Sequence, residues 1–186
     1  GDFLYSDIEI RTMLKDIEIA RRLGADGVVF GCLTADGEVD LTSMQILMEA
    51  SKGLSVTFHR AFDVCRNPQK ALEEIIELGC NRILTSGQQP TAEQGIGLLK
   101  ELQGLAAGRI TLLADCGVNE NNIARIAAET GINEFHFSAR ESIQSEMKFR
   151  NEVVSMGGTV HINEYERNVT SVRRVKETVE ALYKGM

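Results

Sequence analysis

The sequence predicts an α/β fold of parallel strands joined by crossover helices, and three observations predict it. Amphipathic helical stretches end at glycines spaced about one βα unit apart: Gly24, Gly53, Gly79, Gly108 and Gly131. Glycine suits that place because the residue after a helix often turns left-handed. A short apolar run follows each glycine, rich in β-branched and aromatic residues. Every run ends in polar residues, as strands leading into site-bearing loops do.

Taken in order, the first helix opens at Ser6, which forms a capping box with Glu9. Strand 26–33 (DGVVFGCL) follows, then a helix to Gly53 and strand 55–62 (SVTFHRAF). Asn67 and Pro68 mark the next helix start, an N-cap with proline at the first helical position. Strand 82–87 (RILTSG) comes next, and Thr91 with Gln94 reads as a second capping box. Strand 110–116, a helix ending at Gly131 and strand 134–139 (EFHFSA) complete the alternation. The last helix, 171–184, places Val172, Val175, Val179 and Leu182 along one face. Before it lies a polar stretch, 141–168, far longer than an ordinary αβ connection, which reads as functional or as an interface.

Five strands and six helices fit either an open doubly wound sheet or part of an eight-stranded barrel. Polarity separates the two. In EFHFSA, Phe135 and Phe137 oppose Glu134, His136 and Ser138; in SVTFHRAF, Val56 and Phe58 oppose Thr57 and His59. Helices cover both faces of a doubly wound sheet, so its central strands are apolar on both. A barrel tolerates polar residues at its upper interior. The sequence therefore predicts an incomplete TIM-type (β/α) barrel, a single domain over 1–186.

The chain of 186 residues carries a formal net charge of −7, which argues against nucleic acid or an anionic membrane as the main partner. No apolar run approaches the roughly 20 residues that span a bilayer, and no signal peptide opens the chain. The four cysteines, Cys32, Cys65, Cys80 and Cys116, form no C-x-x-C pair and no zinc-type spacing, a pattern that suits reduced thiols in a cytoplasm. Asn168-Val169-Thr170 matches a glycosylation sequon and reads as chance in that setting.

Polar groups gather where the strands end. His59, Arg60 and Asp63 follow one strand; Ser86 and Gly87 end the next; Asp115, Cys116 and Gly117 another; His136, Ser138 and Arg140 the last. That edge is where parallel α/β folds build sites. His59 and His136, if both face inward, suit acid–base work or metal ligation. Arg60 and Asp63 form an ion pair, or Arg60 clamps an anion through its planar fork. Asp115 serves as metal ligand, base or loop fixer. Ser86, Gly87 and Gly117 offer backbone N–H groups for an anion. Cys32 and Cys116 lie at the site edge, where a thiolate would meet a soft metal such as Cu(I); Cys80 reads as packing, Cys65 is open, and His161 reads as solvated.

At these strand ends the sequence resembles the CutC family, associated with copper homeostasis. The resemblance rests on residues 1–6 (GDFLYS), 56–63 (VTFHRAFD), 84–87 (LTSG), 134–140 (EFHFSAR) and 147–151 (MKFRN), in family order. It implies a TIM-type barrel, a cytoplasmic setting, self-association and a copper connection. It also implies that the chain starts late: about three early βα units are missing, in line with five strands where a closed barrel has eight. The cysteines suspected of copper binding in the family sit on those early strands. Two functions follow as expectations: copper homeostasis with Cu(I) binding, and an enzyme acting on a small anionic or phosphorylated metabolite. The open sheet would expose edges near 26–33 and 134–139, so the chain is expected to pair with another copy or to be marginally stable.

Overall fold

The computed structural model describes residues 1–151, 153–160 and 162–185; His161 lies outside them. Five parallel strands form one sheet: β1 (Gly27–Phe30), β2 (Ser55–Phe58), β3 (Arg82–Thr85), β4 (Thr111–Ala114) and β5 (Glu134–Phe135). They pair in chain order, β1-β2-β3-β4-β5, with no reversal. A doubly wound sheet needs a switch point where the order reverses. Sequential order is barrel topology.

The six helices are α1 (Asp7–Arg22), α2 (Leu41–Ala50), α3 (Pro68–Glu77), α4 (Ile96–Ala106), α5 (Ile123–Thr130) and α6 (Val172–Gly185). Successive helices touch, α1 on α2, α3 on α4, α4 on α5 and α5 on α6, so they form one layer on one face of the sheet. Val56, Phe58, Ile83, Leu112 and Ala114 are buried, in one core with Leu72 and Ile75 of α3, Leu99 and Leu102 of α4, and Ile126 of α5. Full burial of each such large side chain contributes about 1.5–3 kcal/mol. Their strand neighbours Thr57, Arg82, Leu84, Leu113 and Glu134 take the other face, half-buried. There Arg82 reaches across β4 to Glu134 (Nε to Oε2, 2.6 Å). With one face fully buried under the helices and the other half-buried and mixed, holding the Arg82–Glu134 pair beside Leu84 and Leu113, the strands match a barrel wall. Among the described residues the barrel does not close: β1 and β5 are edges.

Local signals set most boundaries. Ser6 and Glu9 form the expected box, with the Ser6 N–H and hydroxyl both donating to Glu9 Oε2 at 2.8 and 2.7 Å. Asn67 caps α3 by accepting from the Lys70 N–H at 3.0 Å, with Pro68 at the first helical position. Gly131 ends α5 at φ 77°, a conformation that costs glycine little.

Three expectations need correction. The Thr91–Gln94 box exists (Gln94 N to Thr91 Oγ1, 3.3 Å), but α4 starts later, with Gly95 as its cap. The strands are shorter at their C-terminal ends than predicted, because Arg60–Val64 coils into a 3-10 turn after β2 and the chain leaves β5 after Phe135. The buried side of α6 holds Ser171 (its N-terminal neighbour) and Thr178, with Val175 and Leu182 of the expected face half-buried beside them, while Val172 and Val179 are 85% and 40% exposed. Thr178 is tolerated there because its hydroxyl donates to the Arg174 carbonyl at 2.7 Å. The long polar stretch is also partly ordered: β6 (Arg140–Gln144) pairs antiparallel with β7 (Glu166–Thr170).

Candidate functional site

The strand ladder runs past the strands' formal ends and sets the site. His59 N–H donates to the Phe30 carbonyl, Asp115 N–H to Thr85, and His136 N–H to Ala114, at 3.1, 3.0 and 2.9 Å. The register β2–β5 therefore carries His59, Asp115 and His136 onto the same face, the one that lines a barrel interior.

After β2, the 3-10 turn delivers Asp63 against the end of β3. Its side chain is only 5% exposed, and donors surround it. Arg60 Nε reaches Oδ2 at 2.7 Å, the Thr85 hydroxyl reaches Oδ1 at 2.6 Å, and the N–H groups of Ser86 and Gln88 arrive at 3.0 and 3.2 Å. Asp63 thus acts as the fixer of two loops, not as a solvent-facing acid or base. Gly87 N–H donates to the Thr85 hydroxyl at 2.9 Å. The anion cradle expected from Ser86 and Gly87 is therefore not free: both amides already serve the loop.

Arg60 is the exposed half of that pair, 40% exposed, with Nη2 on the Ser86 hydroxyl at 3.2 Å. Burial alone would lower its pKa, but the hydrogen bond and charge of Asp63 outweigh this and raise it. His59 caps the turn, its Nδ1 accepting from the Ala61 N–H at 3.3 Å, and its ring lies against Phe3 at 4.8 Å between centroids. Burial pushes its pKa down, toward the neutral imidazole.

The ends of β4 and β5 build a cavity of about 430 Å³, lined by Asp115, Cys116, Gly117, His136, Ser138, Arg140 and Arg174 among others. His136 Nδ1 and Asp115 Oδ1 are 2.9 Å apart, with the imidazole largely exposed and the carboxylate largely buried. A carboxylate on Nδ1 fixes ring orientation and leaves Nε2 for a ligand. Side-chain amides of Asn119 and Asn122 hold the Gly117 carbonyl at 2.8 and 2.9 Å. Six sequence-predicted residues thus meet in one cavity. His59 does not line it: the two imidazoles share a face and a rim but stand three strand spacings of about 4.8 Å apart.

Arg174 is the wall residue that sequence reasoning missed. From α6 it forks onto both Glu120 oxygens at 3.0 and 3.1 Å and donates to the Arg140 carbonyl. The packing of α6 on α5 and the pairing of β6 with β7 bring it to this mouth. No local pattern announces it.

The two cysteines proposed for metal do not converge. Cys32 follows β1 and Cys116 follows β4, again three strand spacings apart. Burial first, then Asp40, pushes the fully buried Cys32 thiol up to about 12. Burial and Asp115 push Cys116 up to about 11, with Sγ 3.6 Å from Asp115 Oδ2. Among the described residues no three His, Cys, Asp or Glu side chains gather in a metal-holding group. A Cu(I) pair built on Cys32 and Cys116 is therefore not what the fold assembles, since soft-metal binding needs converging thiolates. One consequence is direct. Iodoacetamide at pH 7.5 should leave native Cys32, Cys65 and Cys80 unmodified and Cys116 slow, its rate rising with pH toward about 11. Intact mass spectrometry reads this; rapid labelling of Cys116 at neutral pH would contradict the protonated thiol.

A one-sided (β/α) layer with strands in sequential order and a polar cavity at their carboxyl ends defines a TIM-barrel-like protein. The comparisons make the assignment particular: the model of the CutC family matches residues 1–141, and the chain belongs to that family. It is 78% identical over 182 residues to a family protein CutC of Bacteroides thetaiotaomicron, covering 98% of this chain and 73% of the relative. A family protein CutC of Chromobacterium violaceum is 47% identical over 185 residues, 74% of its length. A solved CutC from Streptococcus agalactiae, whose name assigns it provisionally to copper homeostasis, superposes with a TM-score of 0.71 at 34% identity, covering 73% of this chain and 67% of that one. The native KDPGal structure matches at a TM-score of 0.55 and 13% identity, over 92% of this chain and 65% of that one, and supports the fold alone.

Proposed function

We propose that the chain binds a small anionic metabolite at the mouth formed by the ends of β4 and β5, with His136 as the proton-transferring group. The observation that carries this is the Asp115–His136 pair, 2.9 Å apart, on the wall of a cavity that also holds Ser138 and Arg140. Asp115 orients the ring, Nε2 faces the ligand, and Arg140 with Ser138 supplies donors for an anion. Arg60 and Ser86 extend the same rim.

The second reading is copper homeostasis, favoured by the name of the Streptococcus agalactiae relative. If copper is a cargo here, Cys32 and Cys116 follow strands three apart and make no converging pair, which supports other groups as its ligands. The four cysteines are all free, which supports a reducing, cytoplasmic setting. No helix among the described residues is long and apolar enough to cross a membrane. Pairing of copies through the β1 and β5 edges is part of the same proposal.

Two titrations test these readings. With glycolate and 2-phosphoglycolate as probes, Arg140→Gln should weaken binding about tenfold, the scale of one charge-assisted contact. Equal affinity in the variant would remove the cavity from the account. Cu(I) stoichiometry should be the same for the parent and the Cys32→Ser/Cys116→Ser double variant. A loss of one copper per chain would restore the thiol site.

A further inference from the structure

We infer that the mouth takes a short ligand with an anionic group at each end, such as a dicarboxylate or a phosphocarboxylate, laid along the strand tips between Arg60 and Arg140. This rests on the anion-site reading above and adds the shape and charge of the ligand.

The order of groups along the rim is the reason. Arg60 follows β2 and touches the Ser86 hydroxyl at the end of β3. Ser86 and Asp115 follow Thr85 and Ala114, a directly paired position of β3 and β4. Asp115 then holds His136 just past the end of β5, and Arg140, at the start of β6, lines the same cavity. A guanidinium thus marks each end of the row, and a carboxylate–imidazole pair sits between them.

Arg60 is not consumed by its own ion pair. Asp63 is buried and its oxygens are covered by donors from Thr85, Ser86 and Gln88, while the Arg60 side chain remains 40% exposed. Asp63 holds Nε and Ser86 accepts from Nη2, which leaves further N–H donors of the fork for a ligand. Held at two points, the guanidinium is preorganised, so little rotamer freedom is lost on binding.

The centre of the row discriminates in the other direction. The Asp115 carboxylate repels an anionic group placed over it, so charge is favoured at the ends and an uncharged carbon segment over the dyad. Arg60 stands two residues past the end of β2 and Arg140 opens β6, five residues past the end of β5. Neither side chain is buried, so the length of the carbon segment that bridges the two charges is what the titration series reads. A monoanion engages one end only.

The test is calorimetric titration of the intact chain with succinate, glutarate and adipate against butyrate, and with 2-phosphoglycolate against glycolate. At least one dianion should bind tenfold or more tightly than its monoanion partner. Arg60→Gln and Arg140→Gln should each bring that dianion down to the level of its monoanion partner. Arg60→Lys, which keeps the charge beside Asp63, should recover most of the dianion affinity, and thermal melts of each variant separate lost contacts from lost fold. Equal binding of mono- and dianions, or indifference to Arg60→Gln in a folded variant, would overturn the two-ended ligand and leave the anion site standing. Binding of none of these anions would overturn both.

Discussion

Replacing Asp63 by alanine should lower stability by about 3 kcal/mol and Tm by roughly 6–12 °C. The reason is what the carboxylate leaves behind. Its side chain is 5% exposed and collects the Thr85 hydroxyl, two backbone N–H groups and Arg60 Nε. Arg60 can turn to water, but the Ser86 and Thr85 donors are fully buried, and each unsatisfied buried donor costs about 1–3 kcal/mol. Asparagine keeps one acceptor oxygen and loses the charge, so Asp63→Asn should fall between parent and alanine variant. Urea unfolding of the three proteins measures this. Parent-like stability of the alanine variant would show that the two loops do not depend on Asp63.

Gly95→Ala should cost about 3 kcal/mol or more, the upper end for overpacking. A Cβ on Gly95 would stand 1.9 Å from the Ser86 carbonyl oxygen and 3.1 Å from the Gly87 Cα. Both are backbone atoms, so no rotamer change relieves the clash. α4 would have to lift from the end of β3, moving Ser86 and with it the Arg60 contact. The control lies two residues on: at Gly97 a Cβ meets nothing within 4 Å, and alanine there should stabilise the helix by up to about 1 kcal/mol. Opposite signs at positions 95 and 97 of the same helix region would confirm close approach; equal effects would argue against it.

These contacts show how far the sequence could be read. The barrel-type polarity of SVTFHRAF and EFHFSA survived intact, because strand alternation depends only on the two-residue period and on which face is covered. The capping pairs at Ser6 and Asn67 were legible for a similar reason: their partners lie three residues away. The cavity was half legible. His136, Ser138 and Arg140 stand together in sequence, and Asp115 to Gly117 form one further cluster. Arg174 was not legible, since it reaches the mouth through tertiary contacts, the packing of α6 on α5 and the β6–β7 pairing, between residues far apart in sequence. The Arg60–Asp63 pair was legible at its spacing of three, but the loop-fixing role of Asp63 was not, because donors to a carboxylate leave no pattern in sequence: Thr85, Ser86 and Gln88 come from the next βα unit. For the thiols, sequence placed Cys32 and Cys116 at the rim, but not their separation, since the order of β1 to β4 across the sheet leaves no local pattern.

The placement of the ligand is tested most directly by a crystal structure of the chain grown with 2-phosphoglycolate. The account predicts an ordered anion at about 2.7–3.1 Å from Arg140 and Ser138, with His136 Nε2 turned toward the bound molecule. Anion density confined to other surfaces, with the cavity between β4, β5 and Arg174 holding water alone at saturating concentration, would contradict it.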